Sequence, residues 1–160
     1  MCIRDSASFL DAAGRTGEAR THAQTARTLG GGDDAAVLQS LLALRAGDAA
    51  TARAGLERVL RGDRGDARAY NTLGLVEQQA GRYNAAREAY LHALRIDRAH
   101  YAARYNLAAL TFGAGANDEA RHHLEALLRD HPDDAAGAAL LRQVAGAPGG
   151  PAAALRPAAP

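Results

Sequence analysis

The sequence predicts an all-α fold built from repeated pairs of antiparallel helices. Residues 67–100 align without a gap on residues 101–134, so the chain repeats every 34 residues. Glycine recurs at one position of this period, where it can end the first helix of each pair in a left-handed conformation. These glycines are Gly47, Gly81 and Gly115. Aspartate stands before several helical runs, where its carboxylate can accept hydrogen bonds from free backbone N–H groups. These aspartates are Asp34, Asp48, Asp66 and Asp134.

The repeat divides the chain into helices and segments. We expect helices at 35–46, 49–61, 67–80, 83–96, 101–113, 117–130 and 135–145. The first of these follows Gly30-Gly31-Gly32, which we interpret as a turn between repeats. The segments in chain order are a six-residue artefact at 1–6, a partial repeat at 7–32, full repeats at 33–66, 67–100 and 101–134, a capping helix at 135–145, and a Gly-, Pro- and Ala-rich tail at 146–160 that we expect to be disordered.

The first six residues, Met1–Ser6, resemble an in-frame translation of an adapter used in sequencing libraries. We therefore expect them to be an assembly artefact, with the native chain beginning further upstream. A repeat array that opens on half a helix pair exposes an apolar face, which also favours truncation. The alternative is a genuine short N-terminus, and genomic sequence encoding these six residues would establish it.

Packing in each repeat requires small residues where the two helices cross and large residues beside the crossing. The predicted crossing residues are Gly74, Ala86, Ala108 and Ala120. The predicted large residues are Leu73, Tyr90, Leu107 and Leu124.

These positions carry a family resemblance. The runs Tyr70-x-x-Leu73-Gly74 and Ala86-x-x-x-Tyr90-x-x-Ala93 resemble the tetratricopeptide repeat (TPR), and Pro132 stands at the usual closing proline of that family. The resemblance covers roughly 8–145 and implies a right-handed α-solenoid, the TPR superhelix. Three residues depart from the pattern, because polar side chains replace a tyrosine, a proline and a large apolar residue. They are Glu77, Arg98 and Arg104.

Composition argues against catalysis. All 19 basic residues are arginine, so the chain has no lysine for a Schiff base or a Walker A phosphate site. The only cysteine, Cys2, excludes a disulfide within the chain. No histidine pair has the His-x3-His spacing that places two imidazoles on one helix face. The histidines are His22, His92, His100, His122, His123 and His131. We expect no enzyme activity, no cofactor and no metal.

Charge and hydropathy limit the partners. A net charge of +1 gives no long-range attraction to nucleic acid, and no apolar run approaches the ~20 residues of a membrane helix. We expect a protein or peptide partner of unknown identity. The oligomeric state is left open. The sequence does not fix the compartment: it favours the cytoplasm, or the periplasm if an upstream signal peptide has been lost.

The resemblance implies that the first helix of each repeat lines a concave groove. Carried over position by position, the candidate peptide-binding residues are Arg68, Asn71, Leu75, Gln78, Tyr105, Asn106 and Phe112, with Ala109 and Gly113 at neighbouring groove positions. Asn106 matches an asparagine that bonds a ligand backbone in several members. Tyr105 and Phe112 share a helix face and suit a partner side chain. The alternative is that these two aromatic residues pack between repeats.

The family's carboxylate clamp for acidic chaperone tails is not reproduced, since only Asn106 matches it. The predicted function is a protein–protein interaction scaffold that binds a peptide or a helix in its groove. The alternative is that the chain is the C-terminal docking segment of a larger enzyme whose catalytic part lies upstream. The sequence names neither partner nor pathway.

Overall fold

A computed structural model describes residues 32–62 and 65–147. Every regular element within these ranges is an α-helix, which confirms the predicted all-α fold class. The helices are α1 (Gly32–Arg45), α2 (Ala49–Leu60), α3 (Ala67–Gln79), α4 (Tyr83–Ile96), α5 (Tyr101–Gly113), α6 (Asn117–Asp130) and α7 (Ala135–Gly146).

All seven helices lie where the sequence predicts them, and the differences are confined to helix ends. Helix α1 begins at Gly32, so assigning that glycine to an inter-repeat turn was wrong. Asp33 and Asp34 occupy the first turn of α1, where negative charge stabilises the N-terminal end of a helix. Helix α7 includes Gly146, which was predicted to begin the tail. The adapter-like segment, the partial repeat before Gly32 and the tail beyond 147 lie outside the described residues.

The chain divides into two compact units, the first ending at Val76 and the second beginning at Glu77. In the first unit, α1 packs against α2. The part of α3 that belongs to this unit contributes side chains to the same apolar core. Side chains from all three helices form this core. They are Ala36, Val37, Leu44, Ala52, Leu56, Val59, Ala69 and Val76, with Leu73 and Leu75 packed against them.

The second unit contains the last turn of α3 and helices α4–α7, each of which packs against the next from α4 onward. Tyr90, Leu107 and Leu124 are 0% exposed, as predicted for residues beside a helix crossing. Ala108 and Ala120 are equally buried and share one apolar cluster with Leu124. The small residues predicted at this crossing therefore occupy the core.

The turns after α1, α3 and α5 have one geometry. Gly47, Gly81 and Gly115 adopt φ values of 83°, 73° and 78°. At the last of these turns the Gly115 N–H donates to the Phe112 carbonyl, and the Ala116 N–H donates to the Thr111 carbonyl, both at 2.9 Å. This pair of bonds is the Schellman motif, which satisfies the final carbonyl groups of a helix. The predicted role of the three glycines is confirmed.

Replacing Gly115 should destabilise the second unit because alanine is strained at positive φ. We expect Gly115→Ala to lower the free energy of unfolding by about 1–2 kcal/mol. Gly113 is the matched control, since it lies two residues earlier in α5 and a Cβ there meets no atom within 4 Å. Gly113→Ala should leave stability unchanged or raise it by up to ~1 kcal/mol. Urea titration followed by circular dichroism tests both, and equal midpoints would contradict the assigned turn.

Carboxylates cap three helices as predicted. Asp48 accepts from the Thr51 N–H at 3.0 Å, Asp66 from the Arg68 N–H at 2.8 Å, and Asp134 from the Gly137 N–H at 2.8 Å. Hydrogen bonding to Thr51 holds the pKa of the Asp48 carboxyl below its ordinary value.

Two capping assignments differ from the prediction. Asp34 does not cap a helix: it lies within α1, and its carboxylate pairs with the guanidinium of Arg68. His100 was not predicted to cap, yet its Nδ1 accepts from the Ala103 N–H at 3.2 Å. It stands 34 residues after Asp66 and 34 before Asp134, so one position of the repeat supplies three caps.

Candidate functional site

The second unit contains a surface cavity of about 220 Å3. Its lining comes from the last turn of α3, the first residue of α4 and the C-terminal half of α5. The lining residues are Gln78, Tyr83, Ala109, Leu110, Gly113 and Ala114, none of which is charged. The cavity therefore offers an uncharged, mainly apolar surface, with the amide of Gln78 and the hydroxyl of Tyr83 as its polar side-chain groups.

Local sequence explains why the cavity is open. The turn at Gly81 brings the chain from α3 directly into α4, so Tyr83 follows Gln78 at the edge of the cavity. Across from them, α5 presents two residues with little or no side chain, Ala109 and Gly113. Tyr83 is 48% exposed, which leaves its ring accessible to a partner.

The amide of Gln78 is held by a buried tyrosine. The Tyr90 hydroxyl donates to Gln78 Oε1 at 2.9 Å. Burial raises the pKa of this hydroxyl, so it stays protonated and keeps its role as a donor. This bond restrains the oxygen of the amide and leaves the two N–H groups of the Gln78 side chain as its donors.

Beside the cavity, Glu77 and Arg82 form an ion pair across the Gly81 turn. Glu77 is only 3% exposed, and its hydrogen bond raises the pKa of the Arg82 guanidinium. Glu77 occupies the position where the resemblance leads us to expect a tyrosine. Its carboxylate is buried there and needs the charge of Arg82 as a partner. The negative charge of Glu77 and the positive charge of Arg82 therefore neutralise each other beside the cavity.

One side of α5 leads to the cavity through residues four positions apart: Tyr101, Tyr105, Ala109 and Gly113. A stretch of this length spans roughly 18 Å along a helix axis. The rings of Tyr101 and Tyr105 stack, with centroids 6.2 Å apart and an angle of 12° between their planes. Each step of four residues advances by about 40° around the axis, so the tyrosine pair and the cavity lie along one strip that winds around α5.

Tyr101 is anchored from the start of α7. Its hydroxyl donates to Asp134 Oδ2 at 3.0 Å, and its ring lies edge-on to His131 with centroids 5.4 Å apart. Burial and the bond to Asp134 raise the pKa of Tyr101 to about 12. These contacts fix the ring against which Tyr105 stacks, so Tyr105 is presented in a defined orientation.

The seven predicted groove residues are divided between the two units. In the first unit, Arg68 donates to both carboxylate oxygens of Asp66, through Nε at 3.0 Å and Nη2 at 2.8 Å, and also pairs with Asp34. Its Nη1 is buried without a hydrogen-bond partner among the described residues. Asn71 is 9% exposed, and Leu75 packs against the first core. These three side chains are therefore engaged in packing and ion pairing within their unit.

In the second unit, Gln78 lines the cavity and half-buried Tyr105 lies on the face that leads to it. Asn106 is half-buried beside Tyr105. Phe112 packs against the apolar cluster of α5, α6 and α7, which is the packing role considered as the alternative for that ring. Sequence reasoning missed Tyr83, whose available signal was an aromatic residue directly after the Gly81-Arg82 turn.

Across residues 32–62 and 65–147, no group of three or more His, Cys, Asp or Glu side chains is arranged to hold a metal ion. No helix in the same part of the chain is long and apolar enough to cross a membrane.

Comparison with known proteins identifies the repeat. Residues 77–144 match the tetratricopeptide repeat family model. Residues 77–144 are therefore tetratricopeptide repeats, and the chain has the fold of that family. No sequence among curated proteins matches the chain.

Solved structures of similar fold include peptide complexes. The second TPR domain of human RPAP3, in complex with the HSP70 peptide SGPTIEEVD, has a TM-score of 0.62 and 16% identity, covering 68% of this chain and 91% of that one. The first TPR of Spaghetti (RPAP3), bound to the HSP90 peptide SRMEEVD, has a TM-score of 0.66 and 14% identity, covering 71% and 90%. Pseudomonas aeruginosa pilF has a TM-score of 0.69 and 19% identity, covering 89% and 67%. At these identities the likeness concerns the fold alone.

Proposed function

We propose that this chain is a protein-interaction scaffold that binds a peptide or a helix of a partner along the α5 face. The observation that carries this proposal is the uncharged cavity of about 220 Å3 at the end of that face. The fold supports it, because two proteins of the same fold were solved with bound peptides. The proposed role is binding and not catalysis.

The size of the cavity favours a partner's side chain over a free small molecule. Pockets for drug-sized ligands usually measure about 300–1,000 Å3. An apolar cavity of about 150 Å3 can hold a benzene ring. A cavity of about 220 Å3 is therefore suited to one large apolar side chain. The α5 face of roughly 18 Å then accommodates about five residues of extended chain.

The binding residues follow from their placement. Gln78 and Tyr105 are the first contacts we propose, with Asn106 beside them. The other four groove residues are proposed from the family resemblance alone, and each also makes contacts within its own unit. They are Arg68, Asn71, Leu75 and Phe112.

Selection of a displayed library of random short peptides on the immobilised chain tests the proposal. We expect enriched peptides to bind the double variant Tyr105→Ala/Asn106→Ala at least about tenfold more weakly, because it removes an aromatic anchor and an amide donor. The matched control is Arg121→Ala/His122→Ala, two exposed residues of α6. Circular dichroism verifies that helicity is retained. Failure to enrich any peptide, or equal binding by the Tyr105 double variant, would overturn the groove proposal.

A further inference from the structure

We infer that Tyr90 positions the Gln78 amide to bind a backbone carbonyl of the partner, while a large apolar side chain of the same neutral segment fills the cavity. Tyr90 would not touch the partner, since it is 0% exposed. This inference rests on the proposed function and names the chemistry of the bound segment.

The Gln78 amide is a polar group of the cavity wall whose oxygen already has a partner. Tyr90 donates to Gln78 Oε1, so the amide's position is restrained through its oxygen while its NH2 group keeps two N–H donors. A donor at the wall of an otherwise apolar cavity must find an acceptor when a partner displaces water from it. An acceptor present in every peptide segment is its backbone carbonyl.

The lining of the cavity carries no charge. None of the six lining residues is charged, and the flanking ion pair of Glu77 and Arg82 is already matched. An acidic or basic side chain entering the cavity would lose its hydration without gaining a counter-charge. The peptides bound by RPAP3 and Spaghetti contain glutamate and aspartate, and no cation lines this cavity to receive such residues. The anchoring segment is therefore neutral, with an aliphatic or aromatic residue at its centre.

The Tyr90 hydroxyl has different consequences in a positioning role and in a packing role. A tyrosine that only fills the core could have its hydroxyl removed without any effect on binding. A tyrosine that positions Gln78 acts through that amide, so removing the hydroxyl and removing the amide should have the same consequence. The combined change should then add little to either change alone.

The test is an NMR titration of the full chain with N-acetyl-leucine N-methylamide, a neutral probe with one aliphatic side chain and backbone-like carbonyls. Shifts of the Gly113 amide signal report the dissociation constant. We expect Tyr90→Phe and Gln78→Ala each to weaken binding about fivefold to tenfold, the usual effect of losing one neutral hydrogen bond. The double variant should bind like Gln78→Ala.

Two controls accompany the titration. Tyr101→Phe also removes one tyrosine hydroxyl, but that hydroxyl bonds Asp134 and lies outside the cavity lining, so binding should not change. N-acetyl-aspartate N-methylamide should bind at least about tenfold more weakly than the leucine probe. Should Tyr90→Phe unfold the chain, Gln78→Leu at its half-buried position removes the same donor.

The outcomes distinguish this inference from the proposed function. Wild-type affinity in Tyr90→Phe, or fully additive losses in the double variant, would overturn the positioning role. Selected peptides that require Tyr105 but ignore Gln78 and Tyr90 would overturn the inference and leave the scaffold proposal standing. The absence of any bound peptide or probe would overturn both.

Discussion

Leu124→Ala is expected to lower the free energy of unfolding of the second unit by roughly 2–5 kcal/mol. Leu124 lies on α6 at 0% exposure, in one cluster with Ala108, Ala120 and Val144 of three different helices. Removing the three outer carbon atoms of its side chain loses apolar burial and leaves a cavity that short neighbouring side chains cannot fill. Because single domains have only about 5–15 kcal/mol of stability, a loss of this size should be large in any assay.

Urea denaturation monitored by circular dichroism measures the effect, and Ile96→Ala is its control. Ile96 is 45% exposed at the end of α4, so its truncation should cost less than about 1 kcal/mol. Equal losses in the two variants would show that Leu124 is not a core residue. Since the chain forms two compact units, the curves should be fitted with separate transitions wherever two are seen.

Ala120→Leu is the second substitution with a large expected effect. It also destabilises the second unit, but by adding volume to the core where Leu124→Ala removes it. Ala108 and Ala120 are both 0% exposed in the cluster that joins α5, α6 and α7. Three additional carbon atoms in such close packing force side chains off their preferred rotamers or move the helices apart. We expect a loss of about 1–3 kcal/mol.

The control makes the same alanine-to-leucine change on the exposed side of a helix, one repeat position before the one that Ala120 occupies. Ala85 corresponds to the residue before Ala120 in the preceding repeat and is exposed on α4. Leucine and alanine both favour helix, so Ala85→Leu should change stability by less than about 0.5 kcal/mol. Thermal denaturation compares the two, and a Tm for Ala120→Leu equal to that of Ala85→Leu would contradict the predicted need for a small residue at this crossing.

The sequence predicts all seven helices of the described residues because their ends depend on local chemistry. Gly81 and Gly115 adopt positive φ as expected, and Asp48 and Asp134 cap as expected. His100 escaped prediction because histidine is not a usual N-cap residue. Its position in the 34-residue repeat, between Asp66 and Asp134, was the signal that could have identified it.

Residues that depart from the family pattern were harder to interpret, because their partners are distant in sequence or specific to this chain. Glu77 pairs with Arg82 across the turn. Arg104 occupies a position expected to be large and apolar, and its Nη1 donates to Asp130 Oδ2 at 2.7 Å. In both cases an ion pair stands where the resemblance leads us to expect apolar packing. The charged side chain has an opposite charge beside it, so the helices can still pack together.

The site was only partly predictable for a related reason. A position in a repeat indicates which helix face a residue occupies, but not whether its neighbours cover it. Asn71 is buried at a predicted groove position, whereas Tyr83 lies at the edge of the cavity outside those positions. The bond from Tyr90 to Gln78 joins residues of two helices and follows from their packing.

The most direct test of the central claim is to map a library-selected peptide onto the backbone amide signals of the chain by NMR. We expect the largest shifts at Tyr105, Ala109 and Gly113, along the α5 face and into the cavity. Shifts confined to the exposed side of α6, around Arg121 and His122, would contradict binding at this face and place the interaction surface elsewhere.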